Sequence, residues 1–300
     1  MLRNKITAGL TGVMLMITVL LAGCGTEHQF IIGTQTFTET KILAEMYKAL
    51  IEDRTDIKVK VIPDLASSTV VLNAIKNDDV QLGTLYSGEI FNNHFPIEET
   101  KDRDRVLRQA KEGFHKYWGL KWFDSLGFEN TYAFTVRKDL ADEKGYKQIS
   151  DISKDAADLR LGVDTTWLER TDVGYPAFRK AYQYKFGKSY PMEQSLVYQA
   201  VGNNQVDIVV AYSTDSRLKA YNLITLEDDK QFFPPYDASP VMREDALRQH
   251  PEAAKAIEVL IGSIDVNTMI NLNYQVDMEK KSEREVALQY LQDKGLLSKK

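Results

Sequence analysis

Two kinds of side chain in this sequence carry chemistry: its many tyrosines and its single cysteine. There are 15 Tyr against 12 Phe and 3 Trp. Tyr86, Tyr132, Tyr212 and Tyr236 fall at the ends of segments that read as strands or on crossings between them. A phenol ring attracts a cation over its electron-rich face, at ~0.5–2 kcal/mol per well-placed ring. A quaternary ammonium ion donates no hydrogen bond, so such faces are its natural partner. Several rings together approach the ~8 kcal/mol that micromolar affinity requires. Any one tyrosine is more often packed in a core, and spacing alone does not single out these four.

Cys24 follows Leu21-Ala22-Gly23, behind a basic head (Arg3, Lys5) and an apolar run from Ile6 to Leu20. This is the layout of a secretory signal peptide, since a spanning helix needs ~20 apolar residues. A lone cysteine cannot form an internal disulfide. Leu-Ala-Gly-Cys in this setting predicts cleavage before Cys24 and acylation of its thiol; an unmodified thiol is the rival reading. Acyl chains hold to a bilayer at ~0.8 kcal/mol per buried methylene. Residues 1–23 are then a signal peptide and 24–28 a lipidated tether, as in a bacterial exported lipoprotein anchored on the outer face of the cell membrane.

Other chemistry is missing. His28, His94, His115 and His250 form no pair at metal-ligand spacing, so neither a metal nor another cofactor is expected. No phosphate-cradling glycine loop, GxSxG elbow or HExxH is present. An enzyme is not expected, although a dispersed triad stays open. The formal net charge is −5 and becomes more negative once Arg3 and Lys5 are removed, which argues against nucleic acid as a partner. Hydrophobic content of 43% and charged content of 27% are ordinary for a globular chain. The mature length suffices for two lobes with separate cores.

The elements that must position the tyrosines follow from periodicity. Phe30 to Gly33 reads as a buried strand. Ile42, Leu43, Met46, Tyr47, Leu50 and Ile51 predict a helix over 39–53, with Thr38 as its N-cap. Ile57, Val59 and Val61 alternate with lysines and predict a strand with one wet face. A helix over 70–76 and a strand over 80–86 complete a βαβαβ order. That order predicts a mostly parallel sheet with helices outside, and ligands beyond the carboxyl ends of its strands. Those ends carry Gln35, Ser67-Ser68-Thr69 and Tyr86. A charged helix over 101–117 and a strand over 131–136 follow. A second series begins at 159–163 and runs to a strand over 206–212. The last third reads as helical, over 252–261, 266–272 and 283–292.

One internal repeat is visible. Asn73 to Glu89 matches Gln199 to Asp215, 126 positions later, with identities at Ala74/Ala200, Asn77/Asn203, Val80/Val206, Tyr86/Tyr212 and Ser87/Ser213. Glu89/Asp215 is an acidic match. Each copy is a helix end, a polar turn and a strand that ends in Tyr-Ser. Any two helix–turn–strand units share such features, yet the pattern suggests two similar lobes presenting Tyr86 and Tyr212 from facing walls.

Five segments resemble the substrate-binding lipoproteins of osmoprotectant ABC importers, those for glycine betaine, carnitine and choline. They are Ile32-Gly-Thr-Gln-Thr-Phe-Thr-Glu-Thr-Lys41, Gly127-Phe-Glu-Asn-Thr-Tyr-Ala-Phe-Thr-Val-Arg-Lys138, Leu161-Gly-Val-Asp-Thr-Thr-Trp-Leu-Glu-Arg170, Ala211-Tyr-Ser-Thr-Asp215 and Phe232-Phe-Pro-Pro-Tyr-Asp-Ala-Ser-Pro240. The resemblance implies an α/β fold of two lobes, like type II periplasmic binding proteins, with the ligand in the cleft between them. It implies lobe 1 over 29–131 and 236–300, including a return crossing, and lobe 2 over 132–235. It also implies an aromatic cage of Tyr86, Tyr132, Tyr212 and Tyr236, and contacts to a ligand carboxylate from Gln35, Ser68 and Thr69.

Glu89 stands where the family commonly has a small hydroxyl residue or an aspartate. Facing the cleft, it would favour choline over betaine; facing solvent, it would change little. The implied partners are the permease and ATPase of an importer, with the binding protein itself monomeric. Three rivals stay open: a binder of another small solute such as an amino acid or polyamine, a surface-anchored hydrolase, and a structural lipoprotein without ligand.

Overall fold

The structure is a computed structural model that describes residues 29–171 and 173–298. The predicted signal peptide and Cys24 lie outside the described residues. Among the described residues, ten strands form two five-stranded sheets. The first has the order β2-β1-β3-β10-β4, from β1 (Phe30–Gly33), β2 (Val59–Ile62), β3 (Leu82–Tyr86), β4 (Leu120–Trp122) and β10 (Ala238–Arg243). The second has the order β7-β6-β8-β5-β9, from β5 (Tyr132–Arg137), β6 (Arg160–Val163), β7 (Lys188–Pro191), β8 (Ile208–Tyr212) and β9 (Leu223–Thr225). Each sheet is the core of one lobe.

The parallel expectation holds for half of each sheet. β1 pairs in parallel with β2 and β3, and β6 with β7 and β8. β10 and β5 run antiparallel to both their neighbours. The reason is topological: β5 and β10 enter their sheets from the other lobe rather than through a local helix crossover, so nothing constrains them to the parallel direction. The βαβαβ order governs only the strands it contains.

The long helix Thr38–Arg54 buries the predicted face, with Ile42, Leu43, Met46, Tyr47, Leu50 and Ile51 in the core beneath the first sheet. Thr38 does not cap it. Phe37 occupies the N-cap position without a side-chain bond, and the Thr38 hydroxyl donates instead to Asp277 Oδ1 at 2.6 Å. Helix Ser68–Lys76 begins two residues earlier than its apolar periodicity suggests, because Ser67 accepts from the Val70 amide. The C-terminal helices Pro251–Ile257, Val266–Asp277 and Glu283–Asp293 return to the first lobe and share its core.

The sequence repeat is a structural repeat. Asn77 N–H donates to Asn73 and Asn203 N–H to Gln199; the amides of Asp79 and Gln205 both reach back to the alanine of their copy. Asp78 and Asn204 take the same left-handed turn, at φ 68° and 60°. Both are residue types that tolerate that conformation. β3 and β8 then follow in the same register against β1 and β6.

Fully buried apolar residues segregate by lobe, and the half-buried Ile270 of the helix Val266–Asp277 packs across onto the second-lobe cluster around Val197 and Leu218. The second lobe is built around aromatics: Phe134 stacks on Phe178 with centroids 4.6 Å apart, and Trp167, Phe186 and Phe233 complete the cluster. The principal core of the first lobe draws only on residues before Tyr132 or after Pro235. Truncating Phe178 to Ala should cost about 3–5 kcal/mol. Because the two cores are separate, chemical denaturation of that variant should show two transitions, with the second lobe melting first. A single transition followed by both near- and far-ultraviolet dichroism would contradict the separation.

Candidate ligand-binding site

Two chain segments cross between the lobes side by side. Glu129 bridges antiparallel to Asp237, Asn130 N–H donates to Tyr236 O at 3.0 Å, and the Thr131 hydroxyl donates to Pro234 O at 3.0 Å. Each is pinned by the serine of one repeat copy. Ser87 accepts from the Asp237 amide at 2.9 Å and its own amide donates to Asp237 O. Ser213 accepts from the Thr131 amide at 3.1 Å and its hydroxyl donates to Glu129 O at 2.9 Å. In both copies of Tyr-Ser, then, the serine holds a crossing while the tyrosine turns into the space between the lobes.

That space is a cavity of about 560 Å³, the size of a small-molecule site. Tyr86, Tyr212 and Tyr236 line it. Tyr86 ends β3 and its hydroxyl donates to the Glu39 carboxylate. Burial, and then the charge of Glu39, push its pKa well above the ordinary phenol range. Tyr212 ends β8 directly opposite Tyr132 on β5. Their rings stack with centroids 5.3 Å apart and planes at 23°. Burial, and then Tyr132, push the Tyr212 pKa up. Tyr236 lies on the backbone of Gly88: a Cβ there would come within 2.5 Å of ring atoms Cε1 and Cζ. Gly88 is thus required for that ring to occupy its position.

Four carboxylates line the same cavity: Glu39, Glu89, Asp215 and Asp277. Glu89 is 3% exposed and turned inward, with Oε2 accepting from Asn92 Nδ2 at 3.0 Å and lying 3.4 Å from His94 Nε2. The cationic side chain in the wall, Arg217, is spent on a protein partner. Its guanidinium forks onto Asp215 at 2.8 and 2.6 Å, a bond that raises its pKa, and lies 4.0 Å over the Tyr198 ring. Arrangements of this kind suit a cation better than an anion.

Most of the residues singled out from sequence meet here. Gln35, Ser68, Tyr86, Glu89, Tyr212 and Tyr236 all line the cavity. Gln35 is buried and its amide donates to Thr84 O at 3.4 Å. Thr69 is exposed and is not part of the wall: it is the second residue of the helix Ser68–Lys76, and the turn that brings Ser68 in carries it out. Tyr132 is not part of the wall either. It stands behind Tyr212, 5.8 Å from Phe233, and borders a second cavity with Glu129.

Other wall residues escaped the sequence reading: Glu39, Asn130, Gln194, Thr214, Arg217 and Asn273. A signal existed for Asp215, which the repeat pairs with Glu89. None existed for Glu39, since an acid in the first turn of a helix reads as a solvated residue facing the helix dipole. Among the described residues, no group of three or more His, Cys, Asp or Glu is placed to hold a metal ion.

The chain resembles known proteins along almost its whole length. Residues 29–293 match the family described as the substrate-binding domain of ABC-type glycine betaine transport systems. The carnitine transport binding protein OpuCC of Listeria monocytogenes is 39% identical over 299 residues, covering 97% of both chains. The ergothioneine transport permease/ergothioneine binding protein EgtU of Helicobacter pylori is 30% identical over 273 residues, which are 90% of this chain and 48% of that one. A crystal structure of a glycine betaine/carnitine/choline ABC transporter protein superposes with a TM-score of 0.86 at 38% identity, covering 90% of this chain and all of the other. With a two-lobed fold, a cavity between the lobes and these matches, the chain belongs to the substrate-binding domain family of ABC-type glycine betaine transport systems, and is a solute-binding protein rather than an enzyme.

Proposed function

We propose that this protein captures a quaternary-ammonium osmolyte in a tyrosine cage and delivers it to an importer's permease, with choline favoured over glycine betaine or carnitine. The observation that carries the reading is the wall of the cavity: three phenol rings, four carboxylates and one guanidinium already forked on Asp215. Three rings at ~0.5–2 kcal/mol each supply a large share of micromolar affinity. Tyr86, Tyr212 and Tyr236 form the faces, and Tyr132 backs Tyr212 from behind. Gln35 and Ser68 supply polar contacts at the other end. A net cation gains from the acidic wall, whereas the carboxylate of a zwitterion meets it unfavourably.

Polyamines are also cations, and the carboxylates raise that possibility. Each already accepts from the protein: Glu39 from three donors, Asp215 from Arg217, and one oxygen each of Asp277 and Glu89 from Thr38 and Asn92. Glu39 and Asp215 thus contribute field more than free pairing sites, which suits a cation that donates no hydrogen bond.

The lobes divide at 131/132 and 235/236, a division supported by sheet membership and by the paired crossings. Cys24, behind Leu21-Ala22-Gly23, is the acylated anchor to the outer face of the membrane. The protein works as a monomer, with a permease and an ATPase as its partners and nucleic acid as none.

Calorimetry on the full chain in detergent tests the reading with choline, glycine betaine, carnitine and putrescine. Choline should bind most tightly and putrescine not at all. Tight putrescine binding with no response to choline would overturn the assignment. Tyr212→Ala should weaken choline at least tenfold, ~1.4 kcal/mol, with the far-ultraviolet spectrum intact. Gly88→Ala should weaken it by a similar factor by displacing the Tyr236 ring, although no atom of the ligand's partners is removed. Glu89→Gln should lower the ratio of choline to betaine affinity; an unchanged ratio would remove Glu89 from the selectivity argument.

A further inference from the structure

Glu39 has a role that neither the cage nor the selectivity argument explains. It sits in the first turn of the helix Thr38–Arg54 and is 2% exposed. A carboxylate so far from water is costly unless donors reach it. Three do, and all are neutral. Oε1 accepts from the Tyr86 hydroxyl and from Asn130 Nδ2 at 2.8 Å; Oε2 accepts from the Thr214 hydroxyl at 2.6 Å.

These donors come from three different places. Tyr86 ends a strand of the first lobe, Asn130 lies in a crossing, and Thr214 lies two residues beyond the end of the central second-lobe strand β8. One carboxylate is therefore bonded to both lobes and to the segment between them. Two further bonds lie on the same seam. Asn273 Nδ2 donates to Thr214 O at 2.9 Å, and Lys219 Nζ donates to Asn271 Oδ1 at 2.8 Å. Among the described residues Glu39 forms no ion pair.

We propose that Glu39 is the interlobe clasp: it fixes the Tyr86 ring for the ligand and gains Thr214 as its third donor when the lobes close. Glu39 is thus a positioning residue, acting on the ligand through Tyr86 and through closure. The inference rests on the reading of the cavity as a cation site. Charge-assisted bonds to a carboxylate are roughly twice as strong as neutral ones. A ligand cation entering the cavity adds a favourable charge beside a carboxylate that has no ion-pair partner among the described residues. Closure and capture then support each other, because each completes the surroundings of the same group.

A double-mutant cycle on the full chain in detergent separates a clasp from a structural role. Choline affinity is measured by calorimetry for wild type, Glu39→Gln, Thr214→Val and the double variant, and small-angle scattering reports closure. Thr214→Val keeps the carboxylate and should weaken choline about fivefold, with a larger radius of gyration in saturating choline. Glu39→Gln should weaken it tenfold or more. The double variant should lose less than the two single losses multiplied, since after Glu39→Gln the Thr214 hydroxyl can meet only a neutral amide, through a bond weaker than the charge-assisted one. Losses that multiply, or a Thr214→Val variant indistinguishable from wild type, would overturn the clasp. Should Glu39→Gln fail to fold, the Thr214→Val result decides by itself. A wild type that binds no quaternary ammonium at all would instead sink the cation reading, and this proposal with it.

Discussion

Two crossing segments, hydrogen-bonded to each other between the lobes, set the geometry of everything in the cleft. Glu129–Thr131 and Pro234–Asp237 run antiparallel, and each is tied to a strand end by a serine of the repeat. Asp237 is further fixed by the Arg103 guanidinium at 2.5–2.9 Å and by the Ser125 hydroxyl at 3.1 Å. A buried carboxylate with a forked arginine has one low-energy arrangement. The place where the lobes join is therefore well defined. Tyr236 and Asn130, which sit on the crossings, are placed by the same bonds.

Stability and binding draw on different parts of the molecule. The apolar cores lie within the lobes, while the space between the lobes is polar and aromatic. Hydrophobic burial scales with area and is indifferent to lobe angle as long as each core stays intact. The cleft can change its width without exposing much core surface. What resists opening is a short set of directional bonds along the seam, which exchange readily with water at modest net free energy, together with the packing of Ile270 against the second-lobe cluster around Val197 and Leu218. A hinge between two stable lobes is the expected consequence, and the same segregation lets the wall residues vary toward other ligands without loss of the fold.

Much of this was legible in the sequence because it is local. The helix over Thr38–Arg54 was signalled by apolar residues three and four apart, and the buried strands β1 and β3 by short apolar runs. The repeat was legible because both copies need the same turn, with a residue tolerant of positive φ at Asp78 and at Asn204. Aligned identities paired Tyr86 with Tyr212 and an acidic match paired Glu89 with Asp215; the shared turn is the physical basis that the structure adds. Family resemblance supplied what periodicity did not, namely which of 15 tyrosines to group. The antiparallel direction of β5 and β10, the absence of Thr69 from the wall and the position of Tyr132 behind Tyr212 were not legible. Each depends on how a segment enters a sheet or on the phase of a helix turn, and both are set by distant residues.

The sequence by itself determined the elements, the repeat, the acidic and aromatic character of the chain and the layout of its N-terminus, since these follow from neighbours within a few turns or strands. Only the tertiary structure decided that Glu89 faces inward, that Gly88 leaves room for the Tyr236 ring, and that Glu39 bonds to Tyr86, Asn130 and Thr214 at once. Tyr86, Asn130 and Thr214 lie 47, 91 and 175 positions from Glu39. Side chains so far apart meet only when both sheets have formed and the crossings have been pinned, and no periodicity along the chain records such a meeting.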